Sequence, residues 1–392
     1  MTIYITGIGI VSAIGLNVEE NFSALKNNQA GIEAIKYLEC KKNILTGEVK
    51  LSNEDLIKKY SVKNSAISRT SLLGIAAAKE SWGNNQHDKE IRTGFISASS
   101  VGGMDRTEKY FQLKRDGNDA DILLLSTHDT GNASEKIAEQ LGFAGYINTL
   151  STACSSSANS IMLGARMMEQ NKLDRVLVGG TDAMTLFTIN GFHSLMIYDK
   201  EWCKPFDENR NGLNLGEGAA FLVLENEKSL NKTKNTPYCT LAGWANTSDA
   251  YHQTASSPEG KGATMAMQQA IAKAKLSASD VSYINAHGTG TKNNDLSEST
   301  ALRNVFKSTV PAFSSTKAFT GHTLAAAGAI EAVFSILAIK QNVIFPNLNF
   351  ENEIAETKLK PNTKFQTVDE VNVVLSNSFG FGGNNSSLIF KK

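Results

Sequence analysis

Short apolar runs ending at small residues alternate along the chain with longer stretches of helical character. Residues 93–97, 175–178, 219–224, 282–286, 371–375 and 387–390 read as strands. Between them, residues 71–80, 158–170, 263–275, 296–305 and 325–341 read as helices, several rich in alanine. The alternation predicts an α/β architecture with covered sheets. The unbroken apolar run 221–224 predicts a strand buried on both faces. Residues 1–7 read as a first strand running into a glycine turn, without the basic and long apolar segments of a signal peptide. The longest apolar stretch, 324–339, is interrupted by Glu331 and Ser335 and is short for a membrane span, so it predicts a buried helix.

A polar, basic stretch, residues 231–237, divides the pattern into two sides with a loosely shared theme: strands that open onto Gly-rich or reactive-looking loops, then an Ala-rich helix. Residues 101–135 and 188–218 are long, polar and less regular, as expected of loops that cap a site or bury an interface. A chain of 392 residues exceeds one ordinary core, which predicts two lobes or one large layered domain. With a formal net charge of zero, no global field recruits nucleic acid or a membrane, and an acidic partner must be met by a local patch. Cys40, Cys154, Cys203 and Cys239 are scattered with no CxxC, which argues against a zinc site or a disulfide framework and fits a reducing cytoplasm.

Candidate chemistry sits in four places. Cys154, in Ser151-Thr152-Ala153-Cys154-Ser155-Ser156-Ser157, stands where a helix begins, among residues small enough for close approach. A thiol there feels the positive end of the helix dipole, which suits an acyl-carrying nucleophile; a buried small hydrophobe is the alternative. Asn285-Ala286-His287-Gly288-Thr289-Gly290-Thr291 ends a strand at a histidine, with two hydroxyls able to bond an extended polar ligand; a histidine held only by backbone is the alternative. Lys317 and His322 lie near the mouth of the helix that carries Glu331, the obvious partner for a buried lysine, whether the pair is structural or chemical. Finally, Gly380-Phe381-Gly382-Gly383 makes a loop whose N–H groups can point at a ligand. Asp295 and Glu298, three apart near a helix start, read as helix stabilisers. Cys40, Cys203, Cys239, His128, His193 and His252 read as incidental or structural.

In this order the motifs resemble a β-ketoacyl-acyl-carrier-protein synthase of the elongating type, within the thiolase-like superfamily. The similarity runs from Ile5-Thr6-Gly7-Ile8-Gly9 through Pro205-Phe206-Asp207 and Gly216-Glu217-Gly218 to Phe390. The resemblance implies a thiolase-like fold of two pseudo-symmetric halves, residues 1–235 and 236–392, in an αβαβα layered arrangement. It implies decarboxylative condensation of an acyl group on Cys154 with a malonyl unit on acyl carrier protein. His287 and His322 would polarise the malonyl thioester carbonyl, and Lys317, paired with Glu331, would organise the His322 side. Backbone N–H groups of Cys154 and Phe381 would form the oxyanion hole, with Phe381 also a gate between Gly380 and Gly382. Thr289 and Thr291 would hold the phosphopantetheine arm, which arrives with the carrier, so no resident cofactor or metal is implied. Asp249 would position the gating loop.

Asn384 departs from the family pattern, which usually has Thr before the following Asn. Met104, Phe111, Phe187 and Phe192 lie in the region of the acyl pocket but read as core as readily as selectivity residues. A basic rim for an acidic carrier would draw on Lys58, Lys59, Lys63 and Lys204, which read equally as solvated surface. The family implies a cytoplasmic homodimer, or a heterodimer with a second synthase-like subunit. A non-elongating partner subunit or a non-catalytic scaffold are the alternative functions, and retention of Cys154, His287 and His322 argues against both. A chain-initiating synthase would carry Asn in place of His322, and a degradative thiolase a second cysteine beyond Cys239.

Overall fold

The computed structural model describes residues 1–63, 67–85 and 88–392. Its spine is one ten-stranded sheet system. In the first half the strands are β1 (Tyr4–Val11), β2 (Thr93–Ala98), β3 (Tyr146–Leu150), β4 (Arg175–Asp182) and β5 (Gly218–Glu225). In the second they are β6 (Cys239–Ser248), β7 (Tyr283–Asn285), β8 (Ala312–Ser314), β9 (Val373–Gly380) and β10 (Asn384–Lys391). The spatial order is β8-β7-β9-β10-β6-β1-β5-β4-β2-β3.

Each half repeats one plan. Its first strand pairs antiparallel with its last, the last antiparallel with its fourth, the fourth parallel with its second, and the second parallel with its third. The two five-strand sets touch where Tyr4 and Ile5 of β1 pair with Thr240 and Cys239 of β6. β5 is buried along its whole length, as its apolar run 221–224 predicts.

The main helices are α1 (Arg69–Trp82), α2 (Met104–Arg115), α3 (Thr130–Gln140), α4 (Ser156–Glu169), α5 (Leu186–Ser194), α6 (Lys261–Lys273), α7 (Lys292–Phe306) and α8 (Ala327–Gln341). α1 packs on β1, β5 and β4; α6 packs on β6 and β10. α4 and α8 contact strands of both halves and each other, which makes them the middle layer of the αβαβα arrangement. Leu324–Gln341 is long and apolar enough by composition to cross a membrane, yet 89% of it is buried inside this fold. A core helix between two sheets needs no polar face, which accounts for that composition. The two central helices approach closely: a Cβ on Gly328 would lie 2.9 Å from the Ala158 nitrogen. The Ser157 hydroxyl accepts a bond from the Ala329 N–H at 2.9 Å.

Two segments differ from the reading of the sequence. Residues 101–135, read as irregular, contain α2, the tight helical turn Ile122–Thr127 and the start of α3. The charges of MDRTEKYFQLKR on a helix with a single fully buried residue, Thr107, hide its periodicity. Residues 188–218 begin inside α5 and are irregular thereafter, until β5 starts at Gly218. The divider 231–237 begins in a short helix, Glu227–Thr233, before the chain enters β6.

Candidate active site

Cys154 follows β3 and precedes α4, in a turn that Ala153 enters with φ 54°. The turn is pinned by its own serines: the Ser156 hydroxyl accepts from the Thr152 N–H at 2.7 Å, and the Ser155 hydroxyl, whose one hydrogen is shared with Asn384 Oδ1, lies 2.7 Å from the Thr152 carbonyl. Backbone N–H groups of Phe381 and of Cys154 itself aim at the sulfur and favour the thiolate. Burial is stronger and pushes the thiol up to about 11, with the Lys317 charge pulling it down. The sequence reading of a helix start that favours thiolate is therefore corrected. The N–H groups are there, but desolvation outweighs them and raises the thiol.

His287 stands just beyond β7, and His322 follows the short helix Lys317–Thr320. Their ring centroids are 5.5 Å apart and nearly perpendicular, at 89°. Lys317 Nζ donates to the His287 carbonyl at 2.5 Å, lies 3.2 Å from His287 Nδ1, and forms an ion pair with Glu331. His322 Nδ1 accepts the Leu324 N–H at 3.0 Å. With Nδ1 an acceptor in both rings, each neutral imidazole carries its proton on Nε2. Burial, reinforced by the Lys317 charge, holds His287 well below its ordinary value and brings His322 down to about 3. Burial likewise pushes Glu331 up to about 7 against the pull of Lys317.

The His287 loop is shaped by two carboxylates. Glu298 accepts from the N–H groups of His287 at 3.0 Å and Gly288 at 2.8 Å, and from Asn377 Nδ2 at 3.1 Å. Asp295 accepts from the N–H groups of Thr289 at 2.9 Å, Gly290 at 3.1 Å and Phe206 at 2.7 Å. Both are fully buried, and burial raises both, Glu298 to about 7. Reading them as simple helix stabilisers is corrected: they organise the backbone that carries His287. The available signal was their spacing with Leu302, which places two acids on an apolar helix face.

The loop after β9 completes the site. The Phe381 ring stacks on Phe192 at 5.9 Å and 20°. Gly382 adopts φ 81°, a conformation suited to glycine, and its N–H donates to the Gln253 carbonyl at 2.8 Å. The Asp249 N–H donates to the Gly383 carbonyl at 3.2 Å, and its carboxylate accepts the Ser257 N–H at 3.0 Å, so Asp249 does sit against this loop.

One cavity of about 340 Å³ is lined by Cys154, His287, His322, Thr289, Thr291, Gly380 and Phe381, among others. The Thr289 and Thr291 hydroxyls are 2.9 Å apart on its wall. Phe192, Met196 and Leu213, from the 188–218 segment, also line it, so that segment does cap the site. Lys317 and Glu331 stand behind His287 rather than in the cavity wall. Met104 is half-buried and does not line the cavity, while Phe111 and Phe187 are exposed at 61% and 64% and serve as neither core nor pocket. Lys58, Lys59, Lys63 and Lys204 do not line the cavity either; its cation is Lys292, and Lys204 pairs with Glu351 at 3.7 Å. Among the other cysteines, Cys203 and Cys239 are buried, Cys40 is partly exposed, and none is in a disulfide.

Comparison with known proteins places this geometry among relatives. The family model described as "Beta-ketoacyl synthase, N-terminal domain" matches residues 1–229, and "Beta-ketoacyl synthase, C-terminal domain" matches residues 238–351. The chain is 34% identical to 3-oxoacyl-[acyl-carrier-protein] synthase 2 of Staphylococcus aureus (strain COL), covering 100% of this chain and 98% of that protein. Among solved structures, the ishigamide ketosynthase/chain length factor superposes with a TM-score of 0.92 at 26% identity, covering 100% and 99% of the two chains. The ketosynthase ApeO in complex with its chain length factor ApeC, from Xenorhabdus doucetiae, gives 0.86 at 31% identity, covering 100% and 98%.

Proposed function

The chain belongs to the β-ketoacyl synthase family, and from that membership and the site geometry we propose how it works as a 3-oxoacyl-[acyl-carrier-protein] synthase. It is a condensing enzyme with the thiolase-like fold. The observation that carries the residue assignment is the convergence of one thiol, two neutral imidazoles and two backbone N–H groups on one cavity.

In the first half-reaction Cys154 sulfur attacks the thioester carbonyl of an acyl carrier. The tetrahedral oxyanion accepts from the Cys154 and Phe381 N–H groups. On collapse the acyl group stays on Cys154, and the carrier thiol leaves with the proton that the cysteine gave up. In the second, the malonyl thioester loses CO₂ and its carboxylate charge passes to an enolate oxygen. The Nε2–H groups of His287 and His322 donate to that oxygen. The enolate carbon then attacks the acyl-Cys154 carbonyl, and collapse releases the cysteine thiolate, which takes a proton from water. The 3-oxoacyl chain remains on the carrier. The carbanion arises by bond cleavage, so no strong base is required, and neutral donors suit an oxygen that gains charge. Preorganised donors of this kind are worth about 10²–10³ in rate each.

Thr289 and Thr291 line the route for the phosphopantetheine arm of the acyl carrier protein, and no resident cofactor takes part. Lys317, held by Glu331, fixes the His287 tautomer. The family resemblance assigns Lys317 to the His322 side, and its charge also bears on that imidazole. Four cysteines without a disulfide suit a cytoplasmic setting. We assign the active form as a homodimer. Its support is β3, an edge strand with no neighbour on its outer side among the described residues and with Tyr146 and Ile147 each 37% exposed. A heterodimer with a second synthase-like subunit would use the same edge.

Cys154→Ala should abolish the acyl-enzyme adduct that mass spectrometry detects after incubation with acyl carrier. An adduct of the same mass on the variant overturns the nucleophile assignment.

A further inference from the structure

Asn384, the residue that departs from the family pattern, is the best-connected side chain around the Gly-rich turn. Its Oδ1 accepts from the Ser155 hydroxyl at 2.6 Å, from Asn159 Nδ2 at 3.0 Å and from Asn246 Nδ2 at 2.7 Å. Ser155 immediately follows the nucleophile and bonds back to the Thr152 carbonyl. Asn159 lies one turn further into α4 and also donates to the Thr152 hydroxyl at 2.8 Å. A single amide oxygen thus joins the exit of the Phe381 turn to Ser155 and Asn159 just past Cys154, and through them to Thr152 just before it.

The other attachments of the Phe381 turn are different in kind. Gly380 lies against the Cys154 turn, so that a Cβ there would come 3.2 Å from the Thr152 carbonyl oxygen and 3.3 Å from the Cys154 nitrogen. Beyond it, Gly382 has open space where a side chain would be and is exposed. A turn with glycine at Gly380, Gly382 and Gly383 holds its shape through its neighbours rather than through its own sterics. The Phe381 N–H lies between the Gly380 contact and the Asn384 bonds.

We propose that Asn384 is a positioning residue for the oxyanion site: its side-chain oxygen locks the Phe381 N–H in register with the Cys154 N–H. The proposal rests on the reading of Cys154 as nucleophile and extends it to a residue outside the cavity wall. A donor displaced by an ångström loses much of its value at the tetrahedral intermediate, and both half-reactions pass through one.

The test compares Asn384→Ala, Asn384→Thr and Ser155→Ala with the parent enzyme, each corrected for active sites by total acyl-enzyme formed. Asn384→Ala should slow single-turnover acylation and condensation alike, by about ten- to a hundredfold, with the KM for malonyl carrier within about twofold. Asn384→Thr, which keeps an acceptor oxygen, should restore most of the rate. Adding Ser155→Ala to Asn384→Ala should cost less than the two single losses combined, because the two share one bond. Equal acylation rates in the parent and Asn384→Ala overturn the proposal, as does a loss confined to KM or left unrescued by Thr. If the parent enzyme itself forms no adduct at Cys154, the nucleophile assignment fails instead, and the two failures are told apart.

Discussion

At the scale of single residues, burial governs the titratable groups of the site. Thiol, imidazoles and the carboxyl of Glu298 are all shifted toward the neutral form by burial. For the histidines the sign is clear. Their folded values lie below the unfolded value near 6.5, so their contribution to stability is complete above that pH and is lost as pH falls toward the folded values. The ring-proton NMR signals of His287 and His322 should therefore stay flat between pH 8 and pH 5. A midpoint near 6.5 for either site histidine would remove the neutral-donor account. Cys154, His287, His322, Lys317 and Phe381 were legible in the sequence because each reactive type sits among small residues at an element's end. Asp295 and Glu298 were not. They act through backbone N–H groups of a loop, and a carboxylate that bonds backbone leaves no partner residue type to recognise.

Among the elements, the central pair α4 and α8 sets the position of Cys154. A side chain at Gly328 has nowhere to go, since a Cβ would meet the Ala158 nitrogen at 2.9 Å and the Ser378 hydroxyl at 2.8 Å. Gly328→Val should lower stability by about 1–3 kcal/mol, read as a reduced urea midpoint, and should slow acylation because α4 carries the Cys154 turn. An unchanged midpoint would show that the two helices part without cost. Most strands of the large sheet were readable because burial on both faces leaves continuous apolar runs, as in β5. β3 escaped because it is an edge strand with no fully buried residue, and β6 because CTLAGWANTS mixes small and polar residues that pack against α6. The register that brings residues 214–216 beside His322 was also invisible, since it joins two segments that lie outside the strands.

For the molecule as a whole, the repeated strand plan puts the two halves side by side and leaves β3 and β8 as the outer edges. β3 is the edge proposed to pair with a second chain. Ile147→Lys should shift the mass found by light scattering at micromolar concentration from dimer to monomer, and a parent enzyme already monomeric there would dismiss the assembly. Enclosure by both halves also governs how the enzyme ages. Peroxide attacks sulfur in its ionised form, which burial disfavours at Cys154. Oxidative damage should therefore be slow while the enzyme idles and fastest during turnover, in the instant after each product chain leaves and before water returns the hydrogen.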